Sequence, residues 1–314
     1  MGFFSAIFSG KTESPEEKAA KELARKFDTL KYDGLKAMRM NQMQYAHKCF
    51  TEALKLKEDD ETQAYLAELY IKAGRADMAV DLLRQLADKQ PDNFGVRLHF
   101  AQVLLQTGQH DAALKVCDAT LATDTSDIEP GNVASMHLLR AHCLVRRRDV
   151  PAAVAAATQA LTVNDNYVDA YMFRAQVLLS SGSVLEAEAD ANELLRRADD
   201  PTEEMRLLKA AIAARLRKTD EAIEQYGMVT SLNPFCEEAY LGLARALSDD
   251  NRRDEALATL NAALEQLPMS AMLYNERGRV NTLLGDQASA MDDLKKAMAL
   301  SPEMAQSVNG KFSN

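Results

Sequence analysis

The chain has 314 residues and a formal net charge of −10, which argues against a nucleic-acid binder because phosphate contacts need clustered lysine and arginine. Aromatic residues make up only 6% of the chain, tryptophan is absent, and there are 13 glycines and 8 prolines, a composition that favours helix over sheet. The four cysteines form no CxxC pair, so we expect buried thiols and a reducing, cytoplasmic location. No apolar stretch is long enough to span a membrane.

Residues 1–13 are predicted to form an apolar N-terminal tail. On a helix, four of its large side chains would share one face: Phe3, Phe4, Ile7 and Phe8. The tail has no basic n-region and no cleavage site, so it does not resemble a signal peptide. The string Gly10-Lys11-Thr12 lacks the earlier glycine and the preceding strand of a phosphate-binding loop. Three docking sites for the tail stay open: the rest of the chain, a membrane or a partner.

Residues 14–26 are predicted to form a leading helix. The segment begins with Ser14-Pro15-Glu16-Glu17, in which a serine can cap the helix, a proline suits the first turn, and acids favour the positive end of the dipole. We expect this helix to lead directly into the segment that follows.

From residue 27 to residue 302 the sequence repeats itself about eight times. Each copy carries an alanine, and successive alanines lie 33, 34, 40, 34, 35, 34 and 34 residues apart: Ala46, Ala79, Ala113, Ala153, Ala187, Ala222, Ala256 and Ala290. Twelve residues before each one is a second small residue: Gly34, Ala67, Ala101, Ala141, Ala175, Ala210, Ala244 and Gly278. Since helices approach closely only where side chains are small, each copy is predicted to be an antiparallel helix pair.

The repeat has three further features: a turn residue, a large packing residue and, in one copy, an insertion. Five residues before the alanine, six of the eight copies have Gly or Asn, which suits the left-handed residue that ends a helix. Larger residues one turn after the alanine are predicted to fill the space between copies: Phe50, Leu83, Tyr226, Leu260 and Leu294. The step from Ala113 to Ala153 has six extra residues within 124–133, and this insertion is either a lengthened loop or a bend in the array.

The 34-residue period, the pair of small residues, the glycine between the helices and the closing Pro91, Pro234, Pro268 and Pro302 resemble the tetratricopeptide repeat. This resemblance implies an all-α solenoid, a right-handed superhelix of stacked antiparallel pairs whose inner groove is lined by the first helix of each pair. Residues 303–314 would then form a short C-terminal cap over the last pair.

No catalytic, cofactor-binding or metal-binding motif is present in the sequence, so we expect no enzyme activity, no cofactor and no metal. The best binding candidates are polar residues expected to line the groove: Lys31, Tyr65, Glu68, Gln102, His142, Gln176, Arg215, Arg245, Asn275 and Arg279. The arginines Arg215, Arg245 and Arg279 predict that the C-terminal part of the groove attracts acidic segments. The carboxylate clamp of chaperone-tail binders is disfavoured, because Lys31 alone matches among five clamp positions.

We therefore expect a non-enzymatic scaffold or adaptor that binds a peptide or helix of another protein in its groove. The alternative is a peripheral membrane adaptor anchored by residues 1–13, and a cryptic enzyme or enzyme subunit is a further alternative. A weak membrane contact of the tail is compatible with either of the first two. The residues predict no partner identity, pathway or oligomeric state.

Overall fold

The computed structural model describes residues 14–301, and this range contains sixteen α-helices and no strand. In chain order the helices are α1 (Pro15–Arg39), α2 (Met43–Leu56), α3 (Asp60–Lys72), α4 (Ala76–Lys89), α5 (Phe94–Gln106), α6 (His110–Leu121), α7 (Pro130–Arg146), α8 (Val150–Val163), α9 (Val168–Ser181), α10 (Val184–Arg197), α11 (Glu203–Arg215), α12 (Thr219–Leu232), α13 (Glu237–Asp249), α14 (Arg253–Gln266), α15 (Ala271–Leu284) and α16 (Gln287–Leu300). Sixteen helices fit eight helix pairs, as the repeats predict.

The chain divides between Asp149 and Val150 into two compact units. In unit 1, which contains α1 to α7, consecutive helices pack against one another and α5 also contacts α7. In unit 2, which contains α8 to α16, the first helices α9, α11, α13 and α15 contact one another in sequence, while each pairs with the second helix that follows it. Each unit is therefore a stack of helix pairs in which stability comes from neighbours.

The small residues of the repeat mark the helix crossings, as predicted. All eight anchor alanines are buried, with exposures of 0–3%, and all eight partner residues are buried as well. A Cβ added at Gly278 would lie 3.2 Å from the Ala290 carbonyl oxygen, and one added at Gly34 would overlap the ring of Phe50. Larger side chains at these positions would push the paired helices apart.

The turn inside each pair has the same backbone conformation in all eight repeats. The residue five before the anchor has φ between 58° and 90°: Asn41, Gly74, Gly108, Arg148, Gly182, Arg217, Asn251 and Gly285. Glycine adopts this left-handed region without strain, and asparagine tolerates it. Arg148 and Arg217 adopt it too, although neither residue type favours this region.

The first helix of unit 1 is longer than the repeat requires. Ser14 caps α1 with a complete capping box involving Glu17, and the helix runs without a break to Arg39. Its first twelve residues are exposed, and Phe27 is the first buried side chain. The predicted leading helix is thus continuous with the first helix of the first repeat. The tail residues Phe3, Phe4, Ile7 and Phe8, and the proposed cap at 303–314, lie outside the described residues.

The large residues expected between copies are buried in four of the five predicted cases. Phe50, Leu83, Tyr226 and Leu260 have exposures of 0–7%, but Leu294 is 37% exposed. The prediction is wrong for Leu294 because, within residues 14–301, no further helix follows α16 to cover it. The six extra residues between Ala113 and Ala153 lengthen two elements. One is the loop that precedes α7, and the other is α7, which has 17 residues. A bend at 124–133 stays a prediction.

The four cysteines are free and buried, in agreement with the sequence prediction. Burial raises the pKa of the Cys117 thiol to about 12 and that of the Cys143 thiol to about 11. Such thiols are poor nucleophiles at neutral pH, so they are packing residues.

Two repeats of unit 2 contain the same buried ion pair, which the sequence did not predict. Arg174 Nη2 lies 2.6 Å from Asp190 Oδ1, and Arg277 Nη2 lies 2.6 Å from Asp293 Oδ1. Each arginine also reaches the second helix of the preceding repeat, where it donates to Thr158 or Asn261. Because each guanidinium bridges two second helices, it sets how neighbouring pairs dock.

Candidate binding face

The ten predicted binding residues all lie on first helices. Four are in unit 1 outside α7, with Lys31 on α1, Tyr65 and Glu68 on α3, and Gln102 on α5. His142 is on α7 and is exposed. The remaining five are in unit 2: Gln176 on α9, Arg215 on α11, Arg245 on α13, and Asn275 and Arg279 on α15. The "first-helix face" of unit 2 is the surface of α9, α11, α13 and α15 that presents these five residues.

In unit 1, Lys31 is surrounded by acceptors. Its Nζ lies 2.9 Å from Asp59 Oδ2 and 2.5 Å from Glu61 Oε2, and the lysine side chain is only 18% exposed. Tyr65 donates its hydroxyl proton to Glu61 Oε1 over 2.5 Å. These four residues, the Lys31 cluster, satisfy one another, so the cation predicted to meet a ligand is already neutralised.

The electrostatics of the Lys31 cluster agree with this geometry. Partial burial alone would raise the pKa of Asp59, but hydrogen bonds from Thr62 and Lys31, together with the lysine charge, lower it to about 2. Burial opposes the charged form of Lys31, yet its two carboxylate partners raise its pKa above the usual value. Both groups therefore remain charged over the physiological range, and their hydrogen-bonding capacity is directed at each other.

The other candidates of unit 1 are ordinary surface or half-buried residues. Glu68 pairs with Lys72 one turn later in the same helix, at 2.7 Å. Gln102 is half-buried on α5. Exposed pairs of this kind contribute little to stability or recognition. Of the candidates in unit 1, Lys31 and Tyr65 are brought together by Glu61 in the Lys31 cluster.

In unit 2, two of the three predicted arginines share one carboxylate. Arg245 Nε lies 3.0 Å from Glu276 Oε2, and Arg279 Nη2 lies 2.6 Å from Glu276 Oε1. Glu276 is buried, with 4% exposure. The row of three open cations expected from the sequence is thus reduced to one. Arg215 is exposed, and its side chain forms no hydrogen bond or ion pair with any residue between 14 and 301.

Arg215 borders a cavity of about 420 Å³ on the first-helix face, between α11, α12 and α13. The cavity exists because small residues occupy the positions where neighbouring repeats have larger ones. Its walls include four of them: Ala211, Ala214, Gly242 and Ala246. At the equivalent of Gly242, the preceding repeat has Leu208 and the following one has Glu276. The cavity was not predicted from the sequence, although the glycine in the middle of α13 was a signal for it.

The floor of the cavity is the ring of Tyr226 from α12. A Cβ added at Gly242 would overlap the Cζ, Cε1 and Cε2 atoms of this ring, so the hydroxyl end of the tyrosine lies against the glycine. Tyr226 was expected as a packing residue between repeats, and it is one. It also contributes to the lining of the cavity.

Neither a metal site nor a membrane-spanning helix is found in the part of the chain that the structure describes. No group of three or more histidine, cysteine, aspartate or glutamate side chains within residues 14–301 could hold a metal ion. None of the sixteen helices in this range is both long and apolar enough to cross a bilayer.

Comparison with known proteins identifies the repeat. One family model described as "Tetratricopeptide repeat" matches residues 70–133, and a second with the same description matches residues 138–204 and 241–305. TPR repeat-containing protein YpiA of Bacillus subtilis (strain 168) is 21% identical over 280 residues, which is 80% of this chain and 66% of that protein. The Tetratricopeptide repeat protein 36 homolog of Nematostella vectensis is 46% identical over 48 residues, or 15% of this chain and 26% of that protein.

Solved structures share the fold. A tetratricopeptide repeat protein from Parabacteroides merdae ATCC 43184 superposes with a TM-score of 0.56 at 18% identity, covering 77% of this chain and 93% of the other. PilW, a widely conserved type IV pilus biogenesis factor, gives a TM-score of 0.60 at 19% identity over 68% of this chain and 96% of its own. Identities this low show the fold alone. Sixteen helices in pairs within residues 14–301, and family matches over more than half of the sequence, show that this chain belongs to the tetratricopeptide repeat family.

Proposed function

We propose that this protein is a non-enzymatic, cytoplasmic scaffold that binds a peptide or helix of another protein on the first-helix face of unit 2. The tetratricopeptide repeat fold supports a role in protein–protein interaction generally, and repeat stacks present extended faces suited to chain segments. The observation that carries the proposal is the cavity of about 420 Å³ between α11, α12 and α13, since it can receive a side chain of the bound segment.

The charges of this cavity favour an acidic segment. Three arginines and one aspartate line it: Arg215, Arg217, Arg245 and Asp249. Arg217 pairs with Asp249 at 3.4 Å and Arg245 pairs with Glu276, which leaves Arg215 to attract a ligand. The acidic preference rests on Arg215 more than on the full row of arginines expected from sequence.

A blocking substitution tests the proposal. Ala214 lines the cavity and is exposed, so Ala214→Trp fills the cavity without disturbing the core. Peptides are selected on the wild-type protein from a random library of short linear sequences, and their affinities are measured by fluorescence polarisation. We expect Ala214→Trp to weaken binding at least about tenfold.

The matched control is Ala258→Trp, which introduces the same side chain at an exposed alanine of α14. This variant should bind the selected peptides as the wild type does. Equal binding by Ala214→Trp and Ala258→Trp would show that the segment is bound elsewhere, and would refute the proposal.

A further inference from the structure

The hydroxyl group of Tyr226 is a donor without a protein partner, and its oxygen is still reached by solvent. The residue is only 7% exposed, and its hydroxyl forms no hydrogen bond to any other residue between 14 and 301. The ring lines the cavity, and its hydroxyl end lies against Gly242, which also lines it. The free donor is therefore presented to whatever occupies the cavity.

The other polar groups of the lining are also mainly donors. Arg215 has no partner among residues 14–301, and the hydroxyl of Thr219, the first residue of α12, has none there either. The one carboxylate in the lining, Asp249, already accepts from Arg217. A site with unused donors and its only carboxylate engaged suits a ligand that accepts hydrogen bonds and carries negative charge.

The protonation of Tyr226 is consistent with a donor role. Burial raises the pKa of the phenol, and the nearby charge of Glu238 raises it further, while Arg245 opposes the shift. The hydroxyl therefore keeps its proton at neutral pH. It can donate to an anion without first having to be protonated.

We propose that this cavity binds a carboxylate group of the bound segment, with Tyr226 donating to one oxygen and Arg215 pairing with the carboxylate. This assignment rests on the proposed function, because it names the group that the first-helix face recognises. The carboxylate comes from an aspartate or glutamate side chain or from the C-terminus of the partner. The residues involved are not those of the chaperone-tail clamp, which the sequence disfavours.

The test uses the peptides selected on the wild-type full-length protein. Each peptide is resynthesised with every acidic residue replaced in turn by its amide, and with its C-terminus either free or amidated. We expect one of these replacements to weaken binding about tenfold, and the replacement that does so identifies the source of the carboxylate.

Two conservative variants of the protein complete a double-mutant cycle. Tyr226→Phe removes the hydroxyl and keeps the ring, and Arg215→Gln removes the charge from an exposed residue. Each should weaken the acidic peptide about tenfold and should have no further effect on the peptide that has lost its critical carboxylate. The matched controls Tyr240→Phe, another buried tyrosine of unit 2, and Arg196→Gln, an exposed arginine of α10, should bind both peptides like the wild type.

The outcomes separate this inference from the proposed function. If binding is abolished by Ala214→Trp but is unaffected by every acid-to-amide replacement, the segment occupies the cavity without a carboxylate and this inference is overturned. If binding is insensitive to Ala214→Trp, the proposed function itself fails. Because the Tyr226 hydroxyl and the Arg215 side chain have no partner within residues 14–301, both variants should melt like the wild type. A loss of affinity is then a loss of contact with the ligand.

Discussion

The Lys31 cluster in unit 1 and the cavity beside Arg215 in unit 2 each contain a cation from a first helix and a tyrosine. In the Lys31 cluster, the lysine reaches two carboxylates and the tyrosine hydroxyl reaches one of them. In the cavity, Arg215 and the hydroxyl of Tyr226 have no partner between residues 14 and 301.

This difference shows that charge at a position of the repeat does not by itself indicate a binding residue. A cation that is already paired contributes to stability and has little left for a ligand, whereas an unpaired one is available for binding. We therefore expect substitutions at paired charges to change the free energy of unfolding, and substitutions at the cavity to change affinity instead.

The largest effect is expected at the buried pair of Arg174 and Asp190. Asp190→Ala would leave a largely buried guanidinium without its partner, since the aspartate side chain is 5% exposed and the arginine 19%. We expect the free energy of unfolding to fall by about 3–5 kcal/mol, measured by urea denaturation. Asp165→Ala, at a side chain that is 75% exposed, is the control and should change it by less than about 0.5 kcal/mol. Equal, small losses in the two variants would contradict this prediction.

A smaller loss is expected within the Lys31 cluster. Lys31→Met keeps the aliphatic stem and removes the charge, which leaves Asp59 and Glu61 close together without a cation. Because the cluster is partly hydrated, the expected loss is about 1–2 kcal/mol. Lys55→Met removes an exposed lysine that pairs within its own helix, and it should be nearly neutral. If the two variants had the same stability, the Lys31 cluster would not be a stabilising network.

The pH dependence of stability should report on Asp59. Its pKa is about 2 in the folded protein and 3.8 in the reference state, so its contribution is present above pH 3.8 and is lost as the pH falls towards 2. Asparagine does not titrate in this range, so Asp59→Asn has no such pH-dependent contribution to lose. Between pH 5 and pH 2, wild-type stability should therefore fall by about 1 kcal/mol more than that of Asp59→Asn. Parallel pH profiles in urea denaturation would show that Asp59 is not held by Thr62 and Lys31.

The smallest effect on stability is expected at the cavity. Tyr226→Phe deletes a hydroxyl that has no partner within residues 14–301, so its unfolding free energy should stay within about 0.5 kcal/mol of the wild type. The contrasting variant is Tyr70→Phe, because the Tyr70 hydroxyl lies 3.1 Å from His47 Nε2 and its loss should cost about 1 kcal/mol. If Tyr226→Phe lowered the free energy of unfolding more than Tyr70→Phe, the Tyr226 hydroxyl would have a structural role. It would then not be a donor that is free for a ligand.

The sequence alone determined the repeat. The paired small residues, such as Ala210 with Ala222, identified the helix crossings because only small side chains permit that approach, and the 34-residue period followed from their recurrence. The period also placed the turn in every copy, and the left-handed conformation was predicted at the six positions that have glycine or asparagine. The structure adds that Arg148 and Arg217 adopt it as well. Local pattern was sufficient for these features since each depends on residues close together in the chain.

Only the tertiary structure decided which charges are free. Arg245 meets Glu276 from a position 31 residues away, and Lys31 meets Asp59 across 28 residues, and no local pattern shows which acid reaches which base. The cavity likewise needs Ala211 and Gly242 on different helices above the ring of Tyr226 from a third. Side-chain reach and the packing of neighbouring repeats settle these contacts. For this reason Arg215 is the one predicted arginine whose side chain is unpaired within residues 14–301, and Tyr226, which had been expected only to fill space, also lines the cavity.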